Sequence, residues 1–366
     1  MSQPEIAPLL SGQAWAEFCD ALRKAGDVVL RDASPRDPLD VAEGYRYVAR
    51  ILRLALEQQL ENSDPLVPRF QRGLNETIKL GCDNPDQQPL LAAIDGRHEY
   101  RIHGQRGTVA YLSFGTYLGG DYGRSGRSGC SGSLDATTLA VDAQGRFEIV
   151  LSATPQPGNW LPMEADTNQL IVRQTRLRPS ERLAELSIER SGATQAPRPI
   201  DALELQTRLA AAARYVVGSV NVFTDWTEAF AAHPNELRPL SEAVKLGAHG
   251  DPRIHYLMGY WKLAPDEALR IEATPPACDY WNFQLNNYWL ESLDYRYHQI
   301  AVNAASAVHE PDGSVRIVVA HADPGLPNWI ETAGHRHGTM AVRWINAQEH
   351  PRPTCRVVRF DALRPR

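Results

Sequence analysis

Between Cys278 and His298 the sequence reads CDYWNFQLNNYWLESLDYRYH, its densest set of groups able to bind or react. On an extended chain successive side chains point to opposite faces. Trp281, Phe283 and Leu285 then share one face, and Tyr280, Asn282, Gln284 and Asn286 share the other. A row of amides and a phenol donates and accepts hydrogen bonds without charge. It suits a neutral, oxygen-rich or carbonyl-bearing ligand; the alternative is a solvated sheet face. Glu291 and Asp294 follow in the same stretch. Two carboxylates beside a polar face can divide acid and base roles if burial raises one of them. At this spacing they converge only where the chain bends. Otherwise they are surface groups, with Asp294 paired to Arg296.

A second reactive cluster is A-G-H-R-H-G, where His335 and His337 flank Arg336. Histidines two apart share a strand face and can ligate a metal with His255, His321 or a carboxylate. No helical H-E-x-x-H accompanies them, so the expectation is no metal, with His335 as a general acid/base in a glycine-permitted turn. The expected catalytic residues are His335, Glu291 and Asp294. The expected substrate contacts are Tyr280, Asn282, Gln284, Asn286, Trp329, His337 and Arg343. Arg173 and Arg343 lie inside strands, where arginine is usually paired or stacked; structural pairing and recognition of a substrate carboxylate both stay open. Trp160 and Trp329, after Pro/Gly loops, are loop anchors or stacking platforms. No G-x-S-x-G and no cofactor fingerprint is present, and no cofactor is expected.

These residues need a scaffold, and the scaffold occurs twice. Residues 312–344 read DGSVRIVVAHADPGLPNWIETAGHRHGTMAVRW, and residues 142–175 read DAQGRFEIVLSATPQPGNWLPMEADTNQLIVRQT. Each has an Asp/Gly turn, a β run, a Pro/Gly loop, Asn-Trp, a spacer and a closing Val-Arg. Gly145 corresponds to Gly313, Asn159-Trp160 to Asn328-Trp329, and Val172-Arg173 to Val342-Arg343. Recurrence at matching spacing marks an internal duplication. Where the second copy holds His335, the first holds Asp166, Thr167 and Asn168.

The Asn-Trp frame after D-G-S-V-x-I, with the aromatic strand Y-W-x-F-x-L before it, resembles the domain of unknown function 1214 family. The resemblance covers residues 250–346 clearly and 84–190 as a more distant copy. It implies a jelly-roll-like β-sandwich, similar to the modules of bacterial peptide-N-glycosidases. It implies no reaction.

The expected architecture is α+β. A helical pair (1–65) precedes the first β unit (66–195), a helical linker (196–250) and the second β unit (251–366). In the pair, Trp15, Phe18, Cys19 and Leu22 fall on one helix face, and Val41, Tyr45, Val48, Leu52 and Ala55 on another. In the linker, Leu205, Leu209, Ala212, Val216, Val220 and Phe223 do the same. The glycine-rich stretch Gly115–Ser133 is no Walker loop; its Arg124 and Arg127 can meet an anion, or it is a surface loop or lid.

A net charge of −6 speaks against a nucleic-acid partner. No apolar run reaches the ~18 residues of a membrane span, and the N-terminal residues lack the pattern of a signal peptide. Five spread cysteines without C-x-x-C suit reduced thiols in the cytoplasm. The composite expectation is a cytoplasmic hydrolase or lyase. It would use acid/base chemistry on a small, largely apolar metabolite with hydroxyl or carbonyl groups. The alternative is a non-catalytic binder of a small molecule or glycan, or an assembly scaffold forming homo-oligomers through its N-terminal helices.

Overall fold

Strand alternation builds two β units of one design. The computed structural model describes residues 3–119, 126–192 and 198–363. In the first unit a five-stranded sheet runs β1 (Gln71–Arg72), β2 (Gln87–Ala93), β8 (Thr167–Thr175), β4 (Tyr111–Leu118), β5 (Gly129–Asp135). A four-stranded sheet runs β7 (Trp160–Pro162), β6 (Arg146–Ser152), β3 (Tyr100–Gln105), β9 (Glu185–Arg190). The second unit repeats the first. Its larger sheet runs β10 (Glu236–Pro239), β11 (Ile254–Lys262), β17 (His337–Ile345), β13 (Tyr280–Leu285), β14 (Ala301–Asn303). Its smaller sheet runs β16 (Trp329–Glu331), β15 (Val315–Ala320), β12 (Glu267–Ala273), β18 (Thr354–Arg359). The strand orders match one for one, and in both units the Asn-Trp strand pairs parallel to its neighbour while the other pairs are antiparallel.

Side chains reproduce the repeat. Asn159 Nδ2 donates to the Ala140 and Glu148 carbonyls, and its Oδ1 accepts from Ala140 N–H. Asn328 does the same with Val308 and Arg316. Trp160 and Trp329 each donate an indole N–H to the carbonyl that ends the preceding strand, Ser152 and Ala320. The two tryptophans are therefore loop anchors. Gly145 and Gly313 both turn with positive φ, 76° and 83°, a conformation glycine adopts without steric cost.

Each sandwich closes on its own core: Phe114, Phe147, Leu170 and Val172 in the first, Phe283, Ile317, Val342 and Trp344 in the second. Each fully buried side chain of this size contributes about 1.5–3 kcal/mol. The opposite faces of the two five-stranded sheets turn toward the helices and toward each other.

The helices are α1 (Gln3–Leu10), α2 (Gln13–Gly26), α3 (Pro38–Leu56), α4 (Ala202–Ala231) and α5 (Glu242–Gly247). Asp37 caps α3 by accepting from Leu39 N–H, with Pro38 at the first helical position. Asp201 caps α4 by accepting from Glu204 N–H. Together with the second sheet they form one apolar cluster that includes Tyr47, Ile51, Val216, Val220, Met258 and Trp289. The linker helix α4 thus packs on α1, α2, α3 and on β11 of the second unit.

Two helix faces differ from the sequence expectation. In α2, Phe18 is buried but Trp15 and Cys19 are exposed. In α3, the buried face holds Asp40, Glu43, Gly44, Tyr47, Ile51 and Leu54 while Tyr45 is exposed. The acids occupy that face because histidines of the second unit meet them there. Gly44 allows the close approach, since a Cβ would stand 2.6 Å from the Trp289 ring. Strand β2 falls in the Pro/Asn/Asp-rich stretch 63–94, which reads as loop with one short helical or extended piece.

If the two Asn-Trp anchors are equivalent, Asn159→Ala and Asn328→Ala should each destabilise the chain by about 1–3 kcal/mol. Urea unfolding monitored by tryptophan fluorescence measures this. A cost at one site only would show that the copies use the residue differently.

Candidate functional site

The segments leading into the two units are exchanged. Residues 80–86 lead into β2, and residues 247–253 lead into β11. Arg343, from the second unit, donates to the Cys82 carbonyl of the first lead-in. Arg173, from the first unit, donates to the His249 carbonyl of the second. Cys82 and His249 are both non-glycine residues with positive φ, 65° and 58°. That turn aims each carbonyl at its arginine, at a backbone cost of order 1–3 kcal/mol. The tyrosines cross likewise. Tyr280 O–H donates to Asp86 and Tyr111 O–H to Asp251, at 2.7 and 3.0 Å.

Between the straps, the sheets and the helices lies a cavity of about 790 Å³. Leu54 and Gln58 from the end of α3 and its π turn, Tyr215, Phe223 and Trp226 from α4, and Tyr256 and Met258 from β11 form part of its wall. Leu91 and Ile171 come from the first sheet, and Arg173, Arg343 and Lys245 supply charge. His249 is also a wall residue; burial pushes its imidazole down to about 4, so it is neutral at physiological pH. Cys82 lines the wall as well, and burial pushes its thiol up, leaving it unreactive.

The amide row does not line this cavity. Tyr280, Asn282, Gln284 and Asn286 are fully buried, and the first lead-in covers them. Gln284 donates to the Asp83 carbonyl and to Asn286. Asn282 donates to Asn84 and Gln284, and Asn286 to Cys82 and Thr339. Arg343 donates to both Asn282 and Gln284 while also reaching the cavity. The row is neither solvated nor open to a ligand; it is the polar seam that receives the other unit. Among the expected substrate contacts, Arg343 alone is a cavity wall residue.

His335 and Glu291 do meet in one cluster. His335 Nε2 lies 2.9 Å from Glu43 Oε2. Asn287 Nδ2 donates to both Glu43 and Glu291, 3.0 Å each, and Arg50 donates to Glu291 at 2.7 Å. His337 follows the same plan, its Nε2 3.2 Å from Asp40 and its Nδ1 2.7 Å from Tyr260 O–H. H-x-H on the extended chain thus meets D-x-x-E on one turn of α3. Burial pushes the Glu291 carboxyl up, opposed by Arg50. Asp294 is elsewhere: a left-handed Leu290, φ 56°, turns the chain so that Glu291 points inward and Asp294 outward. There Asp294 forms a two-pronged pair with Arg296, which holds its carboxyl down at about 2. Trp329 anchors its loop, away from this cluster.

In the glycine-rich stretch, Arg127 pairs with Glu164 and Asp166; Arg124 lies outside the described residues. Among the described residues no three His, Cys, Asp or Glu side chains are gathered to hold a metal, and no helix is long and apolar enough to cross a membrane.

A duplicated β-sandwich protein with the cavity between its copies is the class that fold and site define. The chain belongs to the family described as Protein of unknown function (DUF1214), whose model matches residues 90–177 and 263–349, once in each unit. An uncharacterised protein from Burkholderia cenocepacia of known crystal structure is 48% identical, with 98% of this chain and 99% of that chain covered and a TM-score of 0.95. The VPA0106 protein from Vibrio parahaemolyticus shares the fold at 14% identity, with 93% of this chain and 100% of that chain covered and a TM-score of 0.51. No curated protein matches the chain.

The His335–Glu43 pair has a pH signature. Burial lowers the His335 imidazole's affinity for its proton, but bonding to Glu43 outweighs this and the net shift is upward. Burial raises the Glu43 carboxyl, and His335 and Arg46 bring it below its usual value. The histidine's contribution is full below the ordinary imidazole pKa of ~6.5 and is lost as pH rises through the raised value. The carboxylate's contribution is present above ~4.3 and is lost as pH falls through the lowered value. Thermal unfolding from pH 4 to 9 should therefore show the largest gap between the wild type and His335→Gln near pH 5–6. A gap independent of pH would mean that the pair is not ionised.

Proposed function

We propose that the chain binds a small, largely apolar organic molecule in the cavity between its β units. The observation that supports this is the cavity itself. Its volume of about 790 Å³ falls in the range of small-molecule sites, ~300–1,000 Å³. Its wall combines Leu54, Leu91, Phe223, Trp226 and Met258 with many polar and charged side chains, Arg173 and Arg343 among them; apolar surface with polar groups that can orient a ligand is the make-up of such sites. Cytoplasmic residence belongs to the same proposal, and the five free cysteines support it.

Hydrolase or lyase chemistry is the second reading. A different observation favours it: Glu291, buried and pushed up, shares a hydrogen-bonded cluster with Glu43 and His335. A general acid or base must come within hydrogen-bond reach of the proton it moves. None of these three side chains is in the cavity wall. Binding without turnover is therefore the better-supported reading.

A neutral apolar dye, N-phenyl-1-naphthylamine, provides the test. Its fluorescence should rise saturably with the wild type. Ala93→Trp, which places an indole in the cavity wall, should weaken uptake at least about tenfold, or 1.4 kcal/mol, with little change in unfolding temperature. Absence of saturable uptake by the wild type would overturn the proposal.

A further inference from the structure

We propose that the ligand is an organic carboxylate, an apolar body carrying an acid group that Arg173 and Arg343 receive. This inference rests on the cavity being a binding site, as proposed above. Both arginines are nearly buried, at 8% and 3% exposure, and both are in the cavity wall. Their protein partners are neutral. Arg173 donates to Tyr117 O–H and the His249 carbonyl. Arg343 donates to the Cys82 carbonyl and sulfur and to the side-chain oxygens of Asn282 and Gln284. Among the described residues neither stands in an ion pair. Burial opposes the charge on each guanidinium, the surrounding groups outweigh it and both stay protonated; no bonded counter-ion neutralises either charge, and an anion in the cavity would supply one. Guanidinium groups match carboxylates in shape and donate to them two at a time.

The other charges around the cavity are consistent with this. Lys245 adds an ammonium group, held by the Pro252 and Ile254 carbonyls and by the largely exposed Glu242. The wall's acids are already engaged. Asp83 accepts from the Ser292 N–H and hydroxyl, Asp95 is paired with Arg97, and Asp166 with Arg127. Asp251 acts on Arg173 and Asp86 on Arg343 without a direct ion pair, each carboxylate being bonded to a tyrosine. Tyr256 belongs to the same end. Its ring is 5.6 Å from the Arg343 guanidinium carbon, and both arginines act on its hydroxyl. That hydroxyl makes no hydrogen bond to a described residue, so it is a spare donor for a carboxylate oxygen.

The test is a comparison of matched acids and amides on the wild-type protein. Octanoic acid and octanamide, 1-naphthaleneacetic acid and 1-naphthaleneacetamide, and 3-(4-hydroxyphenyl)propionic acid and its amide would be titrated by calorimetry at pH 7. At least one acid should bind about tenfold or more tighter than its amide, the scale of a charge-assisted pair. Tyr256→Phe should reduce that preference, and its loss of one hydroxyl leaves the straps untouched. Arg173→Lys and Arg343→Lys should reduce it too, but they also cut a strap, so Tyr256→Phe is the decisive variant. Equal binding of every acid and amide, or a preference unchanged by Tyr256→Phe, would overturn the carboxylate assignment. If the dye enters the cavity and none of these compounds binds, this inference fails and the binding reading stands. If the dye does not enter either, both fail.

Discussion

Two buried arginines, each holding the other unit's incoming chain, are the constraint on which this architecture depends. A guanidinium moved from water into a protein interior loses several kcal/mol of hydration. It can stay only where carbonyls, amides and hydroxyls replace the water. Part of that replacement comes from the opposite copy, through the Cys82 and His249 carbonyls, each set by a left-handed residue. Separation of the units would take this carbonyl from each arginine, leaving Arg173 with Tyr117 and Arg343 with Asn282 and Gln284. The exchange acts as an intramolecular counterpart of a two-fold dimer contact, in which the same patch serves both partners. Both arginines are also in the wall of the cavity, which the two large sheets share with α3 and α4.

The copies have diverged at equivalent positions in ways the packing explains. Opposite Arg173 the first unit has Ser113, and opposite Arg343 the second has Asn282. Ser113 and Tyr111 serve one acceptor, Asp251. The larger amides of the second unit extend the seam along Asp83 and Asn84. The H-x-H pair occurs only in the second copy, whose turn meets the acids of α3. Asp166, in the corresponding turn of the first, pairs with Arg127 at the surface instead.

The fold was legible where local pattern and final environment agree. Alternation in 280–285 puts Trp281 and Phe283 on one face, which is the core face, and the Asn-Trp and Val-Arg frames mark equivalent strands. In 63–94 one short piece, helical or extended, was legible; Pro89 and the polar residues before it left its type open. The α3 face was misread because Asp40 and Glu43 look like solvent residues until their histidine partners are in place. The candidate site was less legible for the same reason. A row of amides has one sequence signature whether it meets ligand, water or another part of the chain. The bonds from Asn84 to Tyr280 and Asn282 span about two hundred residues, and no local pattern reports them. A large helix-lined cavity has no motif at all.

The acid–histidine cluster acquires a role once α3 is seen as one body. Asp40 and Glu43 stand in its first turns, held by His337 and His335. Gln58 stands just beyond its last turn, in the cavity wall. A helix rises ~1.5 Å per residue, so the clamp and the cavity contact are roughly 25 Å apart on a single element. Buried ion pairs contribute little net stability but penalise any geometry that breaks them. The His335–Glu43 pair and the His337–Asp40 contact, one helical turn apart, fix both the height and the rotation of α3 against the second unit. That rotation decides whether Leu54 and Gln58 face the cavity or miss it. The same groups that look catalytic in sequence therefore set the shape of the binding site from a distance, and their burial, which withholds them from a substrate, is what makes them effective as a clamp.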